Sequence, residues 1–443
     1  MWDWNQSHEP EPLLIKNVHV GAPGNMVDVL MENGLIAKIG PSLTSANNHV
    51  VGAEGALMVP ALVDPHVHMD AVLTEGFPEP NRSGTLLEGI ERWNQRKAYL
   101  TEEDIISRAE EGIRWHMGHG VLKVRSHVDV CDPNLTALKA LIKVREKIRP
   151  WFTLQLVAFP QDGVYCFPDG PDLMEEAMRL GADVVGGIPH YEWTHEDGIR
   201  NVELAFFLAE KYGKPIDIHC DETDDEHSRF LETVANLTRR YQMPDKVTAS
   251  HTTAMGSYND AYAFKLIRIL SKAGVNIVAN PLDNVVLQGR FDTYPKRRGM
   301  TRVKELMAAG VTVAAGHDSI MDPWYPLGTA SQLFVASMLA HVGQLTGTQE
   351  LQWAFDSISG AGAKVMDLPN YGIMEGGRAD VALFDVPTTT DAIRLIPRPH
   401  FVIANGMLVA KTPVATTEVW WEGVTRAVSY LRPKSHLQNC TDE

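Results

Sequence analysis

Cysteine is scarce in this chain. Four residues (Cys131, Cys166, Cys220 and Cys440) are scattered over 443 positions without a CxxC pair. That argues against a disulfide framework and a thiolate zinc site, and for a reducing compartment. Positive charge is also in deficit. Lys+Arg 40 against Asp+Glu 56 leaves −16, which disfavours nucleic acid and anionic membranes as partners and suits a small neutral or cationic substrate. No apolar run reaches the roughly 18 residues of a membrane span. The opening Met1-Trp2-Asp3-Trp4-Asn5-Gln6 lacks the basic-then-apolar pattern of an export signal, so a cytoplasmic location is expected. Familiar catalytic signatures are missing too: there is no H-E-x-x-H, P-loop or G-x-S-x-G. His190-Tyr191-Glu192 matches half of the zinc deaminase motif for flipped bases, but no P-C-x-x-C follows.

A hydrophobic content of 44% and a charged content of 22% are ordinary for a soluble globular protein. The length allows one large domain with a smaller one. Both ends read as β-structure. Leu13–Val20 and Gly34–Gly40 near the start, and Ala379–Asp385 and Phe401–Val409 near the end, are strand-like, the last with an Asn405-Gly406 turn. The simplest arrangement is a small β-sandwich built from 1–60 plus 371–443. The centre, 61–370, alternates apolar runs with amphipathic stretches. Its strand ends fall at His66/His68, His127, Gln161, His190, His219, His251, Asn280 and Asp318. From 127 onward the spacing matches one strand-helix unit. Eight such units predict a parallel (β/α)8 barrel whose polar strand ends share one mouth. The long first gap, about 71–120, holds Thr85–Trp93 and reads as an insertion over that mouth.

The run Ala56–Val63 reads as a buried strand ending at Asp64-Pro65, followed by His66-Val67-His68. Residues two apart share a face of a strand, so two imidazoles stand side by side. Alone, such a pair does not establish a metal site; further ligands are needed. Asp217-Ile218-His219-Cys220-Asp221-Glu222 offers His219 as a third, with Glu222 placed to reach a bound substrate. Asp224, Asp225 and Glu226 read instead as a solvated helix start. Asp318 adds a hard oxygen that could also take a proton from water, and His251 falls beside the same site. Three histidines and one aspartate suit one divalent ion, Zn²⁺ or Fe²⁺.

The order His-x-His, His, His, Asp resembles the amidohydrolase superfamily. Longer strings resemble its bacterial cytosine deaminases: Ser83–Trp93, Val157–Gln161, His219–Glu222, Ala249–Met255, Gln288–Pro295 and Asp322–Gly328. The resemblance implies a mononuclear site of His66, His68, His219 and Asp318. It assigns Glu222 to proton shuttling and His251 to polarising water, with Asp318 also catalytic. Gln161, Phe159, Leu86, Ser319 and Trp324 would contact the base, and a homo-oligomer is implied. Members typically carry a second Asp after the metal-binding one; here it is Ser319. Loss of that carboxylate opens room for a substituent, so the expected substrate is cytosine or a 5-substituted cytosine such as 5-methylcytosine. Alternatives are deamination of isoguanine, creatinine or a triazine, cyclic-amide hydrolysis, and a barrel that only binds.

Overall fold

The computed structural model describes residues 11–21, 26–45 and 49–431; Met1–Gln6 and the polar tail beyond Leu431 lie outside them. Five strands come first: β1 (Leu13–Val20), β2 (Met26–Glu32), β3 (Leu35–Gly40), β4 (Val50–Gly52) and β5 (Leu57–Pro60). Eight more follow, separated by helices: β6 (Leu62–Val67), β7 (Val121–Asp129), β8 (Thr153–Phe159), β9 (Val184–Val185), β10 (Ile216–Cys220), β11 (Val247–His251), β12 (Val275–Ala279) and β13 (Val313–Ala315). The chain closes with β14 (Val381–Phe384), β15 (Phe401–Ala404), β16 (Met407–Lys411) and the hairpin β17 (Thr417–Trp421) and β18 (Val424–Val428).

Strands β6 to β13 pair in sequence order, all parallel, with every residue of β6, β7 and β10 to β13 buried. Burial on both faces is what a parallel sheet covered by crossover helices requires. The expected barrel is therefore present. Its seam closes through a bridge between Val67 and Asp318. Asp318 N donates to His66 O at 2.8 Å and His68 N donates to Asp318 O at 3.1 Å. The closure thus runs through residues of the site itself.

Strands from both termini join in one further eight-stranded sheet. Alternation divides its faces. Val381, Leu383, Phe401 and Ile403 pack with Ile15, Val18, Val29, Met31 and Ile36, while Ala382, Phe384, Val402 and Ala404 join the barrel's core. Among the described residues, no helix is long and apolar enough to cross a membrane.

Two local expectations are corrected. The run Ala56–Val63 is not one strand: β5 pairs with β1 and β14 in the terminal sheet, whereas β6 enters the barrel and continues through Asp64-Pro65 to Val67. The hand-off occurs at Ala61, whose N–H goes to Asp380 O while that of Leu62 goes to Gly120 O. Pro65 is tolerated because the β6–β7 register skips between Asp64 and Val67. The acidic run is not a helix start either, since the helix begins at Phe230. Asp221 reaches forward to accept from the Phe230 and Leu231 amides, and Asp224 accepts from Gly289 N at 2.7 Å.

The expected insertion is a helix, Leu86–Lys97, started by Thr85, whose hydroxyl accepts from Glu88 N. Its Ile90 and Trp93 pack with Leu287 and Trp324. Gly89 allows this approach: a Cβ there would sit 2.4 Å from Trp324 Cδ1.

Candidate active site

Parallel strands deliver their C-terminal residues to one end of the barrel. His66 comes from β6, with His68 just past it. His219 comes from β10, His251 ends β11, and Asp318 follows β13. Asp318 Oδ1 lies 3.4 Å from His66 Nε2 and 3.4 Å from His68 Nε2, and His219 Nε2 lies 3.3 Å from His68 Nε2. Four-coordinate zinc with bonds of ~2.0–2.1 Å keeps its donor atoms about 3.3 Å apart. These spacings match a divalent ion held by His66, His68 and Asp318, with His219 placed beside His68 as the fourth ligand named from the sequence.

The hydrogen-bond network supports this fit. Ser250 Oγ donates to Asp217 Oδ1 at 2.7 Å, and His66 Nδ1 lies 3.0 Å from the same hydroxyl. Asp217 Oδ2 accepts from Arg125 at 2.9 Å. With its one proton committed to Asp217, Ser250 can only accept from His66 Nδ1–H. That fixes the tautomer and leaves the buried His66 Nε2, which has no hydrogen-bond partner, with a free lone pair. Two other groupings also bring donor atoms close, His66 with His219 and His251 and, separately, His66 with His127 and Asp217. The last draws on Asp217, whose two oxygens already accept from Ser250 and Arg125, so His66, His68 and Asp318, with His219 alongside, offer the freer donors. His127 stacks on His66 at 3.9 Å and backs it.

Beside this cluster, His251 Nδ1 lies 3.4 Å from Glu222 Oε1 and 3.8 Å from Asp318 Oδ2. Burial and the Asp318 charge push the Glu222 carboxyl well above the usual range. Burial likewise holds His219 and His251 well below the ordinary imidazole value, at His251 against the opposing pull of Asp318. Burial raises Asp318, but His66 and His251 draw it further down, so it stays ionised. The site thus sets a carboxyl biased towards its protonated form beside one biased towards its ionised form, with an imidazole biased towards neutrality between them. His251 and Asp318 both adopt positive φ, +68° and +69°. Such backbone strain is held where surrounding structure imposes it.

These groups open on a cavity of about 200 Å³. Leu86, Phe159, Gln161, Ser319 and Trp324 all line it, with His68, His219, Glu222, His251 and Asp318. Phe159 stacks on His219 at 4.0 Å. Trp324 lies 6.2 Å from His68, and Asp322 Oδ1 accepts from its amide at 3.0 Å.

Three lining or supporting groups escaped the site assigned from sequence. His190 lines the cavity from a 3₁₀ turn, its pKa lowered to about 4 by burial. Its place in the strand-end series was the available signal, while Glu192 accepts from the Val164, Tyr165 and Cys166 amides and from Asn201 Nδ2. Asn284 contacts His251 Nδ1 at 3.0 Å from the helix Pro281–Leu287. Asp283, on that same helix, also lines the cavity.

Residues 49–410 match the model described as the amidohydrolase family. A 5-methylcytosine deaminase from Klebsiella pneumoniae, solved with 5-fluorocytosine, is similar at 43% identity and TM-score 0.89, covering 91% of this chain and 98% of that one. An N-isopropylammelide isopropylaminohydrolase from Burkholderia multivorans is similar at 29% identity and TM-score 0.79, over 90% and 98%. A pterin deaminase from Rhizobium rhizogenes is 27% identical over 87% of this chain and 88% of its own length.

Proposed function

Since the chain belongs to the amidohydrolase family, we propose that it hydrolyses the exocyclic amine of a 5-substituted cytosine, 5-methylcytosine foremost, releasing ammonia and the corresponding uracil. The observation that carries this reading is Ser319. It lines the cavity directly after the ligand Asp318, where a short neutral side chain leaves space beside the reacting carbon. The 43% identity to a 5-methylcytosine deaminase over nearly the whole chain supports it. So does the cavity, which at about 200 Å³ falls below the roughly 300 Å³ at which drug-sized pockets begin, and so favours a single ring over a nucleoside.

In this reading His66, His68, His219 and Asp318 would hold one divalent ion, iron or zinc, which when bound would supply Lewis acidity and lower the pKa of a water towards neutrality. Gln161 binds the amide-like edge of the base, and Trp324, Leu86 and Phe159 wall the ring. Glu222 carries the proton that the ring nitrogen beside the reacting carbon must receive. His251 and Asp318 orient the attacking water and take its proton. That proton passes to the amine, the C–N bond breaks and ammonia leaves; the remaining hydroxyl proton returns to Glu222, and the water oxygen is kept as the new carbonyl.

The test is ammonia release from 5-methylcytosine, cytosine, isoguanine, creatinine and triazines, using protein loaded separately with iron and zinc. The highest kcat/KM is expected for 5-methylcytosine. A preference for cytosine of about a hundredfold, near the limit that one methyl can supply, would overturn the reading. Glu222→Gln should keep its metal while kcat falls by about 10²–10⁴; near-normal turnover would exclude Glu222 as the shuttle.

A further inference from the structure

The cavity holds one acid that the proposed reaction leaves without a role. Asp283 sits just beyond β12, is 1% exposed and faces the cavity, and its Oδ1 makes no hydrogen bond. Its surroundings are acidic. Burial and the carboxyls of Asp318, Asp322 and Glu222 push it well above the usual range, with the Ser319 hydroxyl pulling the other way. Ser319 also acts on Asp322, whose Oδ1 accepts from the Trp324 and Tyr325 amides. One hydroxyl proton cannot serve two carboxyls. A buried acceptor left open on a cavity wall is a place for a ligand's donor.

The barrel order says which part of a ligand arrives there. Strands β12 and β13 are neighbours, and β13 closes on β6. Asp283 and Ser319 therefore stand on the wall beside Asp318, while Gln161 and His190 follow β8 and β9 on the far side. A reacting carbon over the ligand cluster turns its own substituent towards Ser319 and Asp283. We propose that Asp283 is a specificity-determining residue whose open oxygen accepts a hydrogen bond from the substrate's exocyclic amine, with Ser319 steadying the carboxyl.

This proposal rests on an aminopyrimidine occupying the cavity, and its test keeps the two ideas apart. Asp283→Leu and the smaller Asp283→Ala are compared with wild type at matched metal content. Two quantities are read: KM for 5-methylcytosine, and inhibition by pyrimidin-2-one, which lacks the amine. Loss of one such hydrogen bond should raise KM about tenfold and leave pyrimidin-2-one inhibition within about twofold. Asp283→Asn, which keeps an acceptor oxygen, should restore most of the loss. Equal weakening of both ligands, or an unchanged KM, overturns the proposal. If wild type turns over neither cytosine nor 5-methylcytosine, the reaction fails, and equilibrium binding of 5-methylcytosine against pyrimidin-2-one decides the amine contact by the same ratio. Binding of neither ligand would overturn both ideas.

Discussion

Ser250→Ala separates metal affinity from folding. In the wild type, His66 Nδ1, Ser250 and Asp217 form a buried relay of 3.0 and 2.7 Å that ends on Arg125 at 2.9 Å. Arg125 is further held by Gln155 Oε1 and Val365 O. Removing the Ser250 hydroxyl leaves the Arg125–Asp217 pair intact, so no buried charge is stranded. Removing Asp217 instead would strand Arg125, at about 3–5 kcal/mol. The loss in Ser250→Ala falls on two groups, Asp217 Oδ1, which loses the donated hydroxyl, and His66. Its Nδ1–H loses its acceptor, a cost of about 1–3 kcal/mol, and the ring can take the other tautomer, which puts a proton on the ligating Nε2. Partners that orient a metal-binding histidine are typically worth about 10–100-fold in affinity, or ~1.4–2.8 kcal/mol. Titrating apo-protein with Zn²⁺ or Fe²⁺ against a chelating indicator should show that weakening. Unfolding of the apo forms should differ by no more than about 3 kcal/mol. A metal Kd equal to that of wild type would refute the tautomer argument, because among the described residues Ser250 is the hydrogen-bond partner that holds the His66 ring.

Two further substitutions probe the cavity walls. Gly89→Ala would set a Cβ 2.4 Å from Trp324 Cδ1 and 2.7 Å from Nε1; overpacking of about 1–3 kcal/mol should displace the indole and raise KM, and steady-state kinetics showing unchanged KM would mean that Trp324 does not bound the substrate. Ser319→Asp should shift the kcat/KM ratio towards cytosine over 5-methylcytosine by about 10–200-fold, and an unchanged ratio would show that position 319 does not face the C5 side.

The donor cluster was legible because each member ends an apolar strand, and strand ends of a parallel barrel share one rim. His66, His68, His219, His251 and Asp318 need only be counted along the chain to be brought together. The relay beneath them is less legible. Asp217 shares its face of β10 with His219, yet nothing local says that its partners are Ser250 and Arg125, 33 and 92 residues away. Local pattern also misled where two apolar strands abut. Ala56–Val63 is buried at every position but the half-buried Pro60, so periodicity could not reveal that it crosses from one sheet to another at Ala61. In the acidic run, helix propensity was outweighed by the forward reach of Asp221, which moves the helix start to Phe230.

Asp283 and His190 expose a more general limit. Each lies on a short helical turn a few residues past its strand, so its direction depends on the turn and not on the strand's two-residue alternation. Groups that bind the metal need a rigid platform and are carried at strand ends, in a phase that the sequence reveals. Groups that choose the substrate stand one turn later, where that phase is lost. The same offset would let the cavity change its ligand without disturbing a metal held at the strand ends. Ser319 is the informative case: one residue beyond Asp318, it is close enough to the strand end to be read, and its hydroxyl acts on Asp283, which is not. Selectivity in this barrel should therefore depend on both positions together. The effect of Ser319→Asp should differ between Asp283 and Asp283→Leu backgrounds by at least about 0.5 kcal/mol, the coupling expected of residues in contact. Strict additivity in that double-mutant cycle would separate the two side chains energetically and leave Ser319 acting alone.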